Sequence, residues 1–223
     1  DSIVARMRRY FLDLMLSESP VACDPDDSTA ETLFEKAFES IERVLPKDDR
    51  TLQSLITRWK FLEEFASGDE LPMTIDQACQ SVLRELCQTR PSFKELTRAP
   101  WADYLRGQLN YQQQQWLDQQ APESIMVPSG NRIRLEYSAG KPPVLAVRIQ
   151  EVFGWKSAPK LAGGKASIQL HLLGPNFRPQ QITEDLESFW ATTYPEIKKE
   201  LKRRYAKHHW PDEPGTAVAT PNG

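Results

Sequence analysis

The stretch of this chain that comes nearest to a known catalytic motif is a lysine-containing loop, PKLAGGKAS, at 159–167. It is the nearest approach to a phosphate-binding loop. Pro159 stands where that loop has its first glycine, and Ala166 follows the lysine in place of Ser or Thr. Without that hydroxyl and that turn, the loop cannot cradle phosphates and ligate magnesium. No G-x-S-x-G elbow surrounds any serine either, so the sequence predicts no catalytic site.

Metal and thiol chemistry are not predicted either. The 3 histidines form no H-x-x-x-H pair and have no cysteine near them in sequence, so we expect no zinc site. His171 alternates with Gln169 in a strand-like run, which favours a hydrogen-bonded structural histidine. The 3 cysteines show no C-x-x-C spacing. Free thiols in a reducing compartment are the prediction, with no cofactor bound by this chain.

Charge is distributed unevenly along the 223 residues. Residues 1–121 carry 14 Lys and Arg against 21 Asp and Glu, while residues 122–223 carry 14 against 10. Most of the positive excess lies in KKELKRRYAK, residues 198–207. This asymmetry predicts an anionic partner for the second half.

The composition is typical of a folded globular chain, with 39% hydrophobic and 26% charged residues. No apolar run approaches the roughly 20 residues of a membrane helix, and the start has no signal-peptide pattern. We therefore expect a cytoplasmic chain without a membrane partner. Because the sequence does not begin with Met, we also expect it to be a piece of a longer protein.

The basic stretch predicts an amphipathic helix near the end of the chain. Its apolar stripe consists of Tyr194, Ile197, Leu201 and Tyr205. Such a helix could lie along a phosphate backbone and release counterions, while Trp210 or His209 stacks on an unpaired base. The structural alternative is that the cations complement the helix dipole and that the Trp-Pro pair pins the tail. Composition and spacing leave both readings open.

The predicted nucleic-acid contacts are basic and aromatic residues of this half of the chain. They are Arg132, Arg134, Arg178, Lys198, Lys199, Lys202, Arg203, Arg204, Lys207, His208 and Trp210. Arg148 either extends this set or pairs with Glu151, and the sequence leaves both possibilities open.

Hydrophobic periodicity predicts an α+β chain. The predicted segments are strands in 1–21, a helical connector in 22–121, a small mainly antiparallel β module closed by two helices in 122–210, and a loose tail in 211–223. Within the connector, Thr74 and Gln77 form a capping-box pattern. The strands predicted in the β module are RIRLEY (132–137), PVLAVRI (143–149) and SIQLHLL (167–173). QEVFGW is predicted as one helical turn and LAGGKA as a tight turn.

Four stretches, taken in order, resemble the C-terminal region of HrpB-type ATP-dependent helicases, bacterial relatives of the DEAH-box enzymes. They are LDQQAPESIMVPSGNRIRLEY (117–137), PPVLAVRIQEVFGW (142–155), LHLLGPNFRPQQITEDLESFW (170–190) and YPEIKKELKRRYAKHHWPDEP (194–214). The resemblance is strong from about residue 100 and weaker before it. Arg203 and Ala206 stand where the family has Gly and Pro. Arg203 makes this helix more basic than the corresponding helix of the family.

The resemblance implies a parent protein that is a nucleic-acid-stimulated ATPase. Its motor domains would hold ATP and magnesium outside this chain, since the phosphate-loop lysine and the DEAH carboxylates are absent here. Residues 1–21 would be strands from the end of a preceding oligonucleotide-binding-like domain. The chain itself would be an accessory region that binds or guides RNA or single-stranded nucleic acid beside the motor domains.

The sequence is also compatible with a second function. The chain would then be a protein-interaction or intramolecular regulatory platform, in which the acidic helical half docks on the motor or on another protein. That alternative needs no direct contact with nucleic acid.

Overall fold

The computed structural model describes residues 5–21, 27–65 and 71–220. The packing of Cα atoms divides the chain into two compact units. One comprises Asp1–Ile56 with Pro72–Asn110, and the other comprises Thr57–Leu71 with Tyr111–Gly223. The residues predicted as a single helical connector are thus divided between both units. No helix among the described residues is long and apolar enough to cross a membrane.

The first unit begins with an antiparallel hairpin of β1 (Ala5–Phe11) and β2 (Leu14–Val21). The segment 1–21, predicted to form strands, contains two strands in its described part. The large hydrophobic side chains of this hairpin are exposed: Met7, Tyr10, Phe11, Leu12, Leu14, Met15 and Leu16. An isolated two-stranded hairpin is only marginally stable in water, and an exposed apolar surface of this size often marks a contact surface.

The helices of the predicted connector are α1 (Asp27–Phe38), α2 (Arg50–Phe65), α3 (Ile75–Cys87), α4 (Phe93–Thr97), α5 (Trp101–Gly107) and α6 (Tyr111–Gln120). Helix α3 shows how local sequence sets their limits. Its capping box is confirmed, because the Gln77 N–H donates to the Thr74 hydroxyl at 3.2 Å and the Thr74 N–H donates to the Gln77 amide oxygen at 2.9 Å. Its apolar face is buried in the core of the first unit.

Cys87 lies on that buried face, and its burial should lower the reactivity of its thiol. Its side chain is 1% exposed, and burial raises the pKa of its thiol from 9.0 to about 11. Because the thiolate is the nucleophile, we expect alkylation of Cys87 by iodoacetamide at pH 8 to be about 100-fold slower in the native chain than in denaturant. Mass spectrometry of the peptides measures both rates. Equal rates would contradict the burial of this thiol.

The pKa of Cys87 also fixes the sign of a pH effect on stability. A group whose pKa is raised by folding stabilises the native state fully below its ordinary pKa. This contribution is lost as the pH rises from 9.0 through about 11.

The second unit contains two small sheets. In one, β3 (Ser124–Met126) pairs with β4 (Arg132–Arg134) in antiparallel fashion. The other has the order β5-β6-β7, formed by Val144–Arg148, Gln169–Leu173 and Pro179–Thr183. Strands β6 and β7 are antiparallel, whereas β5 and β6 are parallel. A parallel pair needs a crossover connection, which residues 149–168 supply. The α+β prediction is confirmed, with this one parallel pairing added.

Strand β4 is shorter than the predicted run 132–137. Glu136 forms an isolated antiparallel bridge to Val144, so the run makes two separate pairings. The predicted alternation holds, since Arg132 and Arg134 are exposed while Leu135 is buried. The crossover contains a 3₁₀ turn at Ile149–Val152, as the sequence predicts. The predicted tight turn LAGGKA is closed by a bridge between Leu161 and Ala166.

The chain then forms α7 (Leu186–Ser188), a π-helical turn (Phe189–Thr193) and α8 (Tyr194–Arg204). Pro195 occupies the first turn of α8, where its missing N–H costs no hydrogen bond. Tyr194 and Leu201 of the predicted apolar stripe are buried. Phe153, Phe189, Trp190 and Tyr194 form an aromatic cluster with ring centroids 5.0–6.3 Å apart. This cluster joins α8 to the crossover.

The prediction of a loose tail after residue 210 is wrong for the described residues up to 220. The Gly154 N–H donates to the Pro214 carbonyl at 2.9 Å, and the Thr220 N–H donates to the Gln150 carbonyl at 3.3 Å. Pro214 is buried. The tail therefore packs as a strap against the crossover turn, because these backbone groups find partners 60 and 70 residues away in sequence.

Candidate nucleic-acid interface

Lys198 is mostly buried in the second unit and contacts other residues of the chain. Its side chain is 15% exposed. Its ammonium group donates to the Pro211 carbonyl at 3.0 Å and forms an ion pair with Asp212. The Lys198 ammonium also donates to the Asp212 carboxylate, and this hydrogen bond, together with the positive charge of Lys198, lowers the pKa of the Asp212 carboxyl. Lys198 thus fastens the strap to α8 and is the least exposed of the predicted lysine and arginine contacts.

The other predicted cations of this helix and its end are exposed: Lys199, Lys202, Arg203, Arg204 and Lys207. We call these five residues the α8 basic surface. Lys199 pairs with Glu196 at 3.0 Å, a surface contact of a few tenths of a kcal/mol that competes weakly with a phosphate. Within the described part of the chain, Arg203 and Lys207 form no ion pair.

The aromatic residues after α8 pack inward. Trp210 is 7% exposed, and its indole N–H donates to the Tyr205 carbonyl at 3.1 Å. His208 is half-buried and lies edge-on to the Tyr205 ring, with centroids 5.8 Å apart. The structure therefore favours the structural alternative for Trp210, because its indole face is not presented to a base. The sequence alone did not separate a stacking Trp from a packed one.

The remaining predicted contacts lie on strands of the same unit. Arg132 and Arg134 are exposed on β4, and Arg178 is exposed just before β7. The open question about Arg148 is answered by its ion pair with Glu151, whose carboxylate lies 3.1 Å from the guanidinium. Glu151 is 3% exposed and also accepts from the Asn131 amide at 2.6 Å. One buried carboxylate thus joins the start of β4 to the end of β5.

Sequence reasoning missed Phe177, an exposed aromatic residue next to Arg178 in the chain. Phe177 is 66% exposed as a residue, and its ring centroid lies 5.2 Å from the guanidinium carbon of Arg148. The signal was available in GPNFRP, where a large apolar residue occupies a turn between Pro and Arg-Pro.

The lysine-containing loop at 159–167 also has a structural account. Its Gly163 N–H donates to the Gln120 side-chain oxygen at 2.5 Å, so one of its amides already has a partner. Among the described residues, no cluster of three or more His, Cys, Asp or Glu could hold a metal ion.

Fold and surface together define an α+β module whose second unit carries exposed cations on its last helix and on short strands. A family model described as the ATP-dependent helicase C-terminal region, HrpB_C, matches residues 82–214. The chain belongs to this family of HrpB-type helicase C-terminal regions.

Individual relatives agree with this assignment. The chain is 47% identical over 116 residues to the "ATP-dependent RNA helicase HrpB" of Escherichia coli (strain K12), covering 52% of this chain and 14% of that protein. A crystal structure of the E. coli DExH-box NTPase HrpB matches with a TM-score of 0.75 and 33% identity, over 93% of this chain and 26% of that one. A crystal structure of the Escherichia coli DEAH/RHA helicase HrpB matches with a TM-score of 0.69 and 31% identity, over 92% and 26%.

The resemblance found in the sequence is therefore confirmed. The chain spans about a quarter of the length of these solved relatives.

Proposed function

We propose that this chain is the accessory region of an ATP-dependent helicase and that it binds RNA or single-stranded nucleic acid through the α8 basic surface. The observation that carries the proposal is the pair Arg203 and Lys207, which are exposed and have no ion-pair partner among the described residues. A guanidinium and an ammonium in that state are available for phosphate oxygens. The name of the 47% identical relative, an RNA helicase, agrees with this proposal.

The position of these cations at the end of α8 determines which groups would contact phosphates. The last carbonyls of a helix carry a partial negative charge, which repels anions. Contact must therefore come from long side chains that reach beyond the helix end, as Arg203, Arg204 and Lys207 can. Each phosphate neutralised in this way releases counterions, so affinity would fall steeply with salt.

The same proposal places ATP hydrolysis outside this chain. ATP and magnesium would be held by motor domains of the same parent polypeptide, in the cytoplasm, while this region holds or guides the strand. The length of the solved relatives, of which this chain covers 26%, leaves room for such domains.

The test is fluorescence anisotropy of a labelled single-stranded RNA titrated with the 223-residue chain at low and moderate salt. Salt-sensitive binding that is lost on reversal of Arg203 and Lys207 supports the proposal. Absence of binding at low salt contradicts it, and would favour the docking platform.

A second proposal rests on a separate observation in the first unit. The apolar side chains of the β1–β2 hairpin are 47–85% exposed, which is unusual for a stable two-stranded element. We propose that this hairpin packs against the preceding domain of the same parent chain. Hydrogen exchange tests this: the amides of 5–21 should exchange more slowly in the full-length helicase than in this chain, and equal rates would contradict it.

A further inference from the structure

Phe177 lies at the tip of the turn between β6 and β7, in a conformation that large side chains rarely adopt. Its φ is 61°, in the left-handed region, where a bulky residue is a genuine outlier. Its side chain nevertheless leaves 66% of its surface in water. Packing in the core does not explain a strained residue whose aromatic ring is exposed. Backbone strain of this kind is concentrated at functional sites.

The turn holds Phe177 rigidly. The Gly174 N–H donates to the Arg178 carbonyl at 2.9 Å, and the Phe177 N–H donates to the Gly174 carbonyl at 3.0 Å. The Asn176 side chain accepts from the Arg178 N–H at 3.3 Å. These bonds close the turn on both sides of the ring, so a contact made by the ring would cost little ordering entropy.

Arg148 supports the ring from one side. Its guanidinium carbon lies 5.2 Å from the ring centroid, within the range of a cation–π contact. The same guanidinium is fixed by the buried carboxylate of Glu151 at 3.1 Å. The Phe177 ring therefore contacts a guanidinium group whose position is fixed by an ion pair.

Two exposed arginines, Arg132 and Arg178, are connected to this end of β5 and β6. Strand β5 is parallel to β6, so its last residue, Arg148, pairs with Leu173 just before the turn. The Asn131 amide donates to the Glu151 carboxylate that holds Arg148, and Arg132 follows Asn131 directly in the chain. Arg178 follows Phe177 directly. The side chains of Arg132 and Arg178 form no ion pair within the described residues.

From this arrangement we infer that Phe177 is a stacking platform for an unpaired base of single-stranded nucleic acid, with Arg178 and Arg132 contacting the flanking phosphates. This inference rests on the proposed function and adds a second contact to it. An exposed aromatic ring between cations is the usual means of gripping a single strand without reading its sequence. A base pair in a duplex offers no such open face, so the contact would favour unpaired strands.

The experiment uses anisotropy with a labelled single-stranded RNA, the same RNA with abasic positions, a single-stranded DNA and an RNA duplex. F177G removes the ring, and glycine is favoured at this φ, so folding is preserved. We expect F177G to weaken binding to single strands about tenfold and to abolish the preference for base-containing over abasic RNA. Duplex binding should not change.

Two further variants separate stacking from other roles. F177W keeps an aromatic face and should retain the affinity, whereas F177L keeps apolar volume without that face and should behave as F177G does. R178A should lower the salt dependence of binding, which F177G leaves unchanged because phenylalanine carries no charge.

The outcomes distinguish this inference from the proposed role of α8. If reversal of Arg203 and Lys207 weakens binding while F177G and wild type bind equally, the α8 contact stands and the stacking platform is overturned. If F177G weakens binding and the α8 reversal does not, the platform stands without α8. If wild type binds no single strand at low salt, both are overturned.

Discussion

Replacing Arg58 with alanine is expected to lower the free energy of unfolding of the second unit by about 3 kcal/mol. This arginine is 1% exposed, although it carries a full charge. Its guanidinium donates to the Ala121 carbonyl, lies 2.5 Å from the Asp118 carboxylate and lies 3.2 Å from the Glu123 carboxylate. It thereby joins α2 to the end of α6 and the approach to β3.

The cost of the alanine variant has two sources. The Ala121 carbonyl would be left without its donor, and the volume of the arginine stem would become a cavity. Lysine at 58 should recover less than half of the loss, because one ammonium group cannot reach three acceptors in a fixed fork. D118N should cost only about 1 kcal/mol, since Asp118 is 43% exposed in its side chain and water replaces its partner.

Urea denaturation followed by tryptophan fluorescence measures these differences. The free energy of unfolding is expected to decrease in the order wild type, D118N, R58K, R58A. An R58A variant within about 0.5 kcal/mol of wild type would contradict the structural role of this buried charge.

Reversing Arg203 and Lys207 to glutamate is expected to weaken binding to single-stranded RNA about 100-fold at moderate salt, because two phosphate contacts are replaced by repulsion. The matched control is K94E/R98E, which makes the same charge change at exposed residues of the first unit. This control should change the affinity less than about threefold. A thermal melt within a few degrees of wild type shows that the reversed chain is folded. Equal losses in both variants would mean that overall charge, not α8, governs binding.

Local features were predicted well because nearby residues determine them. The capping box of Thr74 and Gln77 depends on a three-residue spacing, and the inward stripe of α8 depends on helical periodicity. The pairing of Arg148 with Glu151 was one of two possibilities weighed, and it too is a contact between near neighbours.

The features that sequence reasoning missed depend on distant partners. Pro214 is buried against the crossover through Gly154, some 60 residues earlier, so the tail is a strap and not a loose end. Arg58 lies within the predicted helical connector, yet its burial depends on the distant carboxylates of Asp118 and Glu123. The left-handed conformation of Phe177 follows from hydrogen bonds across its turn, which residue preferences do not reveal.

The central claim is that the α8 basic surface contacts phosphates, and the salt dependence of binding tests it most directly. The affinity of the 223-residue chain for a single-stranded RNA should be measured at several salt concentrations, for wild type and for R203A/K207A. If about four of the five cations contact phosphates, they should contribute about −3 to the slope of log K against log salt for wild type. The double variant should reduce its magnitude by about 1.4. Identical slopes for both proteins would contradict the claim.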